Sequence, residues 1–231
     1  MRMEQNLRAP YEPSAAFTTA FSSCQLVAIL RDVRPAEVVA HGRAIYDAGF
    51  RIIEVPLNSP AALESICALR NTLPADALIG AGTVLTVQHV CEVEAAGGNL
   101  IVMPHADPHV IVAAKLQGLV CVPGVATLTE AFDALRNGPD ALKMFPAEQL
   151  GAEVTRAWRA VIPSYIPLLP VGGVKPDNMG TLLLAGASGF GLGSALYCRG
   201  QDPAATRANA LAFVTGLRAT HRGNEMQGVD A

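Results

Sequence analysis

The chain has 231 residues, 51% of them hydrophobic and 16% charged, with a formal net charge of -3 and a pI near 5.9. That composition excludes an intrinsically disordered chain, and the length suits one large core of the size single α/β barrels use. A mildly acidic balance gives no general attraction to nucleic acid or to anionic membranes, so an anionic ligand would need positive potential built into its own site.

Residues 1–22 are polar and mixed, a leader with a helix expected between Ser14 and Phe21. With Glu4, Glu12 and two prolines, it lacks the continuous apolar segment of a secretory signal, and no later run approaches membrane-spanning length. Cys24, Cys67, Cys91, Cys121 and Cys198 are odd in number and lack C-x-x-C spacing. They suggest neither a disulfide framework nor a zinc site, and reduced thiols in a cytoplasm are expected.

The regular pattern begins with the apolar run 26–30, followed by a helical stretch 35–48 that opens on Pro35 and closes at Gly49. The same unit then repeats. Strands are predicted at 51–57, 77–84, 99–103 and 119–122, with helices at 60–73, 86–96, 108–117 and 127–136; Thr127 and Glu130 form a capping-box pattern. A sixth strand, in the run from Ala141 and bounded by Pro146, precedes a helix near 152–161; then follow strand 168–171, helix 176–184, strand 189–192 and a last helix from Pro203 to about Thr220. Residues 221–231 read as a polar tail. Eight strand and helix pairs with near-continuous apolar strands predict a parallel sheet covered by helices. A single (β/α)8 barrel over residues 23–220 is favoured, with a doubly wound open sheet as the alternative.

In a barrel, chemistry gathers where the strands end, so polar residues interrupting apolar strands are the candidates. Lys143 stands inside Ala141-Leu142-Lys143-Met144-Phe145-Pro146-Ala147. Burial favours its neutral amine, which is a nucleophile toward carbonyl carbon; a lysine snorkelling from an edge strand is the competing reading. Glu54, between Ile53 and Val55, is a second charge in an apolar run and reads either as a proton-transfer group or as half of a buried ion pair. Arg31 and Thr83 lie at two further strand ends. Gly80-Ala81-Gly82 permits close approach of a ligand or backbone, and the Thr83 hydroxyl can bond a carboxylate or carbonyl.

Val171-Gly172-Gly173-Val174 and Gly191-Leu192-Gly193-Ser194 end the last two strands, the usual place of a barrel's phosphate cradle. His41, His89, His105, His109 and His221 show no ligand spacing with carboxylates or cysteines, so neither a metal nor a cofactor is expected.

Glu54-Val55-Pro56-Leu57-Asn58-Ser59-Pro60, Ile79-Gly80-Ala81-Gly82-Thr83-Val84, Pro123-Gly124 and Leu142-Lys143-Met144-Phe145-Pro146, with the two glycine-rich ends, resemble the 2-dehydro-3-deoxy-phosphogluconate/galactonate aldolases. The resemblance covers about Cys24 to Thr215. It implies a trimeric class I aldolase that cleaves a phosphorylated keto-deoxy sugar acid to pyruvate and glyceraldehyde 3-phosphate. In that reading Lys143 is the Schiff-base lysine and Glu54 the general acid/base. Arg31 and Thr83 touch the carboxylate end, and Gly173, Gly193 and Ser194 hold the phosphate. Asn58 and Val171 stand where the gluconate type resembles arginine and threonine, which favours the galactonate type. Rival readings are an aldolase for 4-hydroxy-2-oxoglutarate, a sugar-phosphate epimerase, and a non-catalytic barrel that binds a sugar phosphate.

Overall fold

The computed structural model describes residues 12–227. Its elements in chain order are α1 (Ala15–Ser23), β1 (Leu26–Ile29), α2 (Pro35–Asp47), β2 (Ile52–Pro56), α3 (Ala62–Thr72), β3 (Leu78–Gly82), α4 (Val87–Ala95), β4 (Leu100–Val102) and α5 (Pro108–Leu116). There follow β5 (Val120–Val122), β6 (Gly124–Val125), α6 (Leu128–Leu135), β7 (Leu142–Met144), α7 (Ala147–Arg159), β8 (Leu168–Pro170), α8 (Met179–Leu184), β9 (Phe190–Leu192) and α9 (Pro203–Gln227). Every residue in these strands is buried, as continuous apolar runs require of strands covered on both faces.

All strand pairs are parallel, in the orders β5-β4-β3-β2-β1-β9 and β6-β7-β8. The expected fifth strand is therefore two, interrupted at Pro123, which has no N–H to give a ladder. The chain stays in line there, since Lys143 N–H donates to the Pro123 carbonyl at 2.9 Å and Asp140 N–H to that of Cys121 at 2.8 Å. On the other side the two sheets meet, among the described residues, through one bridge, Val171 to Gly191. The observed fold is thus α/β with two adjoining parallel sheets rather than the one continuous ladder expected of a closed cylinder.

Alternation along the strands sorts the core into two layers. Leu26, Ala28, Ile53, Val55, Ile79, Ala81 and Ile101 face the helices. Val27, Ile52, Leu78, Leu100, Val102, Val120, Val122 and Leu169 form the inner layer, completed by Phe17 and Ala20 of α1. The helix expected between Ser14 and Phe21 is thus present, and Phe17, 1% exposed, is driven inside by its ring, a burial worth about 2 to 3 kcal/mol. Ser14 caps α1 through its side chain, and its N–H donates to Asp140 Oδ1 at 2.6 Å. Asp140 also accepts from Cys121 N–H and from Lys115 Nζ, at 2.8 and 2.6 Å.

The capping box at Thr127 and Glu130 forms as the sequence predicts. The helix expected near 152–161 instead begins at Ala147 and runs across a kink at Gly151, whose φ of 67° glycine adopts without strain. The last helix continues to Gln227, beyond the end expected near Thr220. Residues 1–11 of the expected leader and 228–231 of the expected tail lie outside the described residues.

Candidate active site

Lys143 is the middle residue of β7, held in register with Gly124 and Leu169, and is 7% exposed. That excludes the snorkelling edge-strand alternative. Its Nζ lies 4.7 Å from the centroid of the Phe145 ring. Burial pulls its pKa below the ordinary lysine value and the Arg31 charge adds to this, while the Glu54 charge opposes both.

Glu54 sits in β2, in register with Ile29 and Gly80, and is 2% exposed. Burial pushes its carboxyl up to about 7, against the pull of Lys143 and Arg31. Its Oε2 is buried and has no hydrogen-bond partner among the described residues. An unpartnered buried carboxylate oxygen is costly in a merely structural group and useful in one that must take and return a proton. Gly82, at the end of β3, provides the space: a Cβ there would overlap Oε2 and stand 2.8 Å from Oε1. The sequence suggested that these glycines admit a ligand or backbone; this one admits the side chain of Glu54.

Lys143 and Glu54 line one inner pocket with Ile29, Val171 and Gly191, and Phe17 of α1 lines it as well. Those three shared residues also line a cleft of about 180 Å³ above it, together with Arg31, Phe145, Gly172, Gly173, Val174, Lys175, Gly193, Ser194 and Ala195. Here the two glycine-rich strand ends meet, as expected. Gly172 and Gly173 have φ of 107° and 67°, backbone that excludes most other residues. The N–H groups of Gly173, Gly193 and Ser194 find no acceptor among the described residues, which leaves them open to an anion. Lys175 adds a side-chain cation that sequence reading missed. The loop bearing it is fixed by Asn178, which accepts from Lys175 N–H and donates to the Gly173 carbonyl, each at 2.9 Å.

Arg31 is exposed, lines the cleft, and donates from Nη1 to Asn58 Oδ1 at 3.1 Å. Its charge reaches both Lys143 and Glu54. Thr83 is half-buried at the mouth of β3 with φ of 56°, unusual for a β-branched residue, and lines neither cavity. Asn58 likewise lines neither and meets the site through Arg31. Val171 belongs to both cavities. Among the described residues, no helix is long and apolar enough to cross a membrane.

A family model described as KDPG and KHG aldolase matches residues 18–205. The 2-dehydro-3-deoxy-6-phosphogalactonate aldolase of Escherichia coli (strain K12) is 46% identical over 193 residues, covering 84% of this chain and 94% of its own. A solved structure of native KDPGal superposes with a TM-score of 0.84 at 45% identity, over 85% of this chain and 96% of that one. A KDPG aldolase from Legionella pneumophila, with pyruvate captured at low pH as a covalent carbinolamine, superposes with a TM-score of 0.72 at 26% identity, over 87% and 96% of the two chains. With a matched model spanning most of its length and a relative so similar, the chain belongs to the KDPG and KHG aldolase family.

Proposed function

We propose that the chain is a class I aldolase that cleaves 2-dehydro-3-deoxy-6-phospho-D-galactonate to pyruvate and D-glyceraldehyde 3-phosphate. The observation that carries this is a buried lysine and a buried, unpartnered carboxylate facing one pocket beneath a cleft lined with open amides and cations.

Neutral Lys143 attacks the C2 ketone, and loss of water from the carbinolamine gives an iminium. Glu54 as carboxylate takes the C4 hydroxyl proton; the O–H electrons form the aldehyde, and those of the C3–C4 bond pass into the iminium, giving an enamine. The aldehyde leaves. Glu54 then returns its proton to C3, and water hydrolyses the new iminium to pyruvate and free Lys143. A carboxyl near 7 populates both forms at neutral pH, which suits a group that must be base in one step and acid in the next. Arg31 receives the substrate carboxylate, and Gly173, Gly193, Ser194 and Lys175 receive the phosphate; Thr83, which lines neither cavity, is left without a contact.

Similarity to the galactonate enzyme supports that C4 configuration, with Asn58 and Val171 as the specificity positions. The same reading makes the two sheets one (β/α)8 barrel, with β5 and β6 a single strand bent at Pro123 and the Val171–Gly191 bridge its seam. It also makes the enzyme a cytoplasmic homotrimer, to be checked by light scattering on the purified protein.

The deciding test is borohydride reduction with pyruvate, followed by mass analysis of the peptide holding residue 143. A reduced pyruvyl adduct on Lys143, absent in Lys143→Ala together with cleavage activity, is expected. No adduct on any lysine of the folded protein would refute the mechanism. Comparing the two epimeric phosphorylated substrates then fixes the C4 preference.

A further inference from the structure

Two turns at the mouth are clipped together in a way that the chemistry above does not use. Leu30 N–H donates to the Glu54 carbonyl at 2.9 Å, so β1 and β2 leave the sheet side by side. Beyond that bond the chain turns sharply after each strand. Asp32 has φ of 64°, a left-handed turn conformation that aspartate tolerates better than most residues and that a fixed hydrogen-bond partner selects. The holding group is Ser59: its Oγ accepts from Asp32 N–H at 2.9 Å, and the residue is 6% exposed. Ser59 is itself fixed, since its own N–H donates to the Pro56 carbonyl at 2.8 Å. Beside this bond runs the one from Arg31 Nη1 to Asn58 Oδ1.

The direction in which Arg31 leaves β1 is set by the backbone of Arg31 and Asp32. Without the Ser59 oxygen, Asp32 N–H would lose its only partner among the described residues, and the turn would lose its tie to the loop after β2. We infer that Ser59 is a positioning residue, which fixes the Arg31–Asp32 turn so that the guanidinium stands at the mouth above Lys143 and Glu54. Asn58 completes the clip from the side-chain end. The inference rests on the aldolase reading, in which Arg31 meets the carboxylate of the substrate's pyruvate half. Ser59 touches no reacting atom; its effect passes through Arg31.

The experiment measures pyruvate-dependent inactivation by borohydride in the full chain, yielding a half-saturating pyruvate concentration and a limiting rate. Ser59→Ala is expected to raise the half-saturating concentration roughly three- to tenfold, the effect of one lost hydrogen bond, with the limiting rate nearly unchanged. Ser59→Thr, which keeps the hydroxyl, restores the wild-type value. In an Arg31→Ala background, adding Ser59→Ala produces no further change, because the group it positions is gone. Asn58→Ala, at an exposed position where folding is not at risk, shows a smaller rise that likewise vanishes without Arg31.

Equal increments with and without Arg31, no increment with it, or a Ser59→Thr variant as impaired as Ser59→Ala would overturn the inference while leaving the aldolase intact. A wild-type chain that takes no label on Lys143 at any pyruvate concentration overturns the aldolase reading and this one with it.

Discussion

Replacing Gly82 by alanine tests the placement of Glu54 with a single methyl group. Gly82 has no left-handed φ, so alanine fits its backbone and the perturbation is confined to the side chain. The methyl would overlap Oε2 and lie 2.8 Å from Oε1, whereas ordinary contact begins near 3.4 Å. The carboxylate must therefore retreat by more than about 1 Å, a misplacement that costs a catalytic group roughly 100-fold. Lys143 lies in the other sheet and is untouched, so imine formation should survive. Steady-state cleavage and borohydride trapping read the two halves separately. The expected result is kcat down on the order of 100-fold with trapping by pyruvate close to wild type. Cleavage within threefold of wild type would refute the claim that Gly82 exists to seat Glu54, and equal loss of trapping and cleavage would mean the site as a whole had been disturbed.

In Glu54→Gln, turnover should fall while the imine still forms. Because burial holds the free protein's carboxyl near 7, the ionised base accumulates as pH rises, so wild-type kcat/KM should climb through about pH 7; that limb should be absent from the variant's pH profile. Lys175→Met should raise KM for the phosphorylated substrate by about two- to fivefold at low salt, less at high salt, and leave half-saturation by pyruvate unchanged. A salt-independent effect would remove Lys175 from the phosphate site. Asp140→Ala strips Ser14 N–H, Cys121 N–H and Lys115 of a fully buried acceptor and should cost about 3 kcal/mol in denaturant unfolding, with faster hydrogen exchange in α1. A loss below about 0.5 kcal/mol would deny Asp140 its role in holding that helix.

The burial of Lys143 and Glu54 at one pocket was legible because each charge breaks an apolar run, and a strand buried on both faces leaves such a side chain nowhere to go but inward. Strand and helix order was legible for the same reason, since proline and glycine punctuate each unit. What escaped depends on partners distant in sequence. Nothing local in Phe17 says that it fills the space beneath strands beginning at Leu78, Leu100 and Val120. Lys175 is one lysine in a polar loop until the fold sets it beside Gly193. The break at Pro123 was written in the chain, but only pairing with both β4 and β7 turns a proline at a strand end into an interruption within one. Asn58 and Arg31, noted separately, became one unit through a hydrogen bond across 27 residues.

The packed layer under Lys143 has a kinetic consequence. Phe17 lines the inner pocket of Lys143 and Glu54, and that pocket shares Ile29, Val171 and Gly191 with the cleft, so in the proposed reading the way to the lysine leads through the cleft assigned to the phosphate. On that reading pyruvate bonded to the lysine would sit behind the half of the substrate that fills the cleft. Departure would then be sequential, with the phosphorylated aldehyde first and pyruvate last. In the synthetic direction the order would invert: pyruvate would load first, and an aldehyde arriving early would block the way as a dead-end inhibitor.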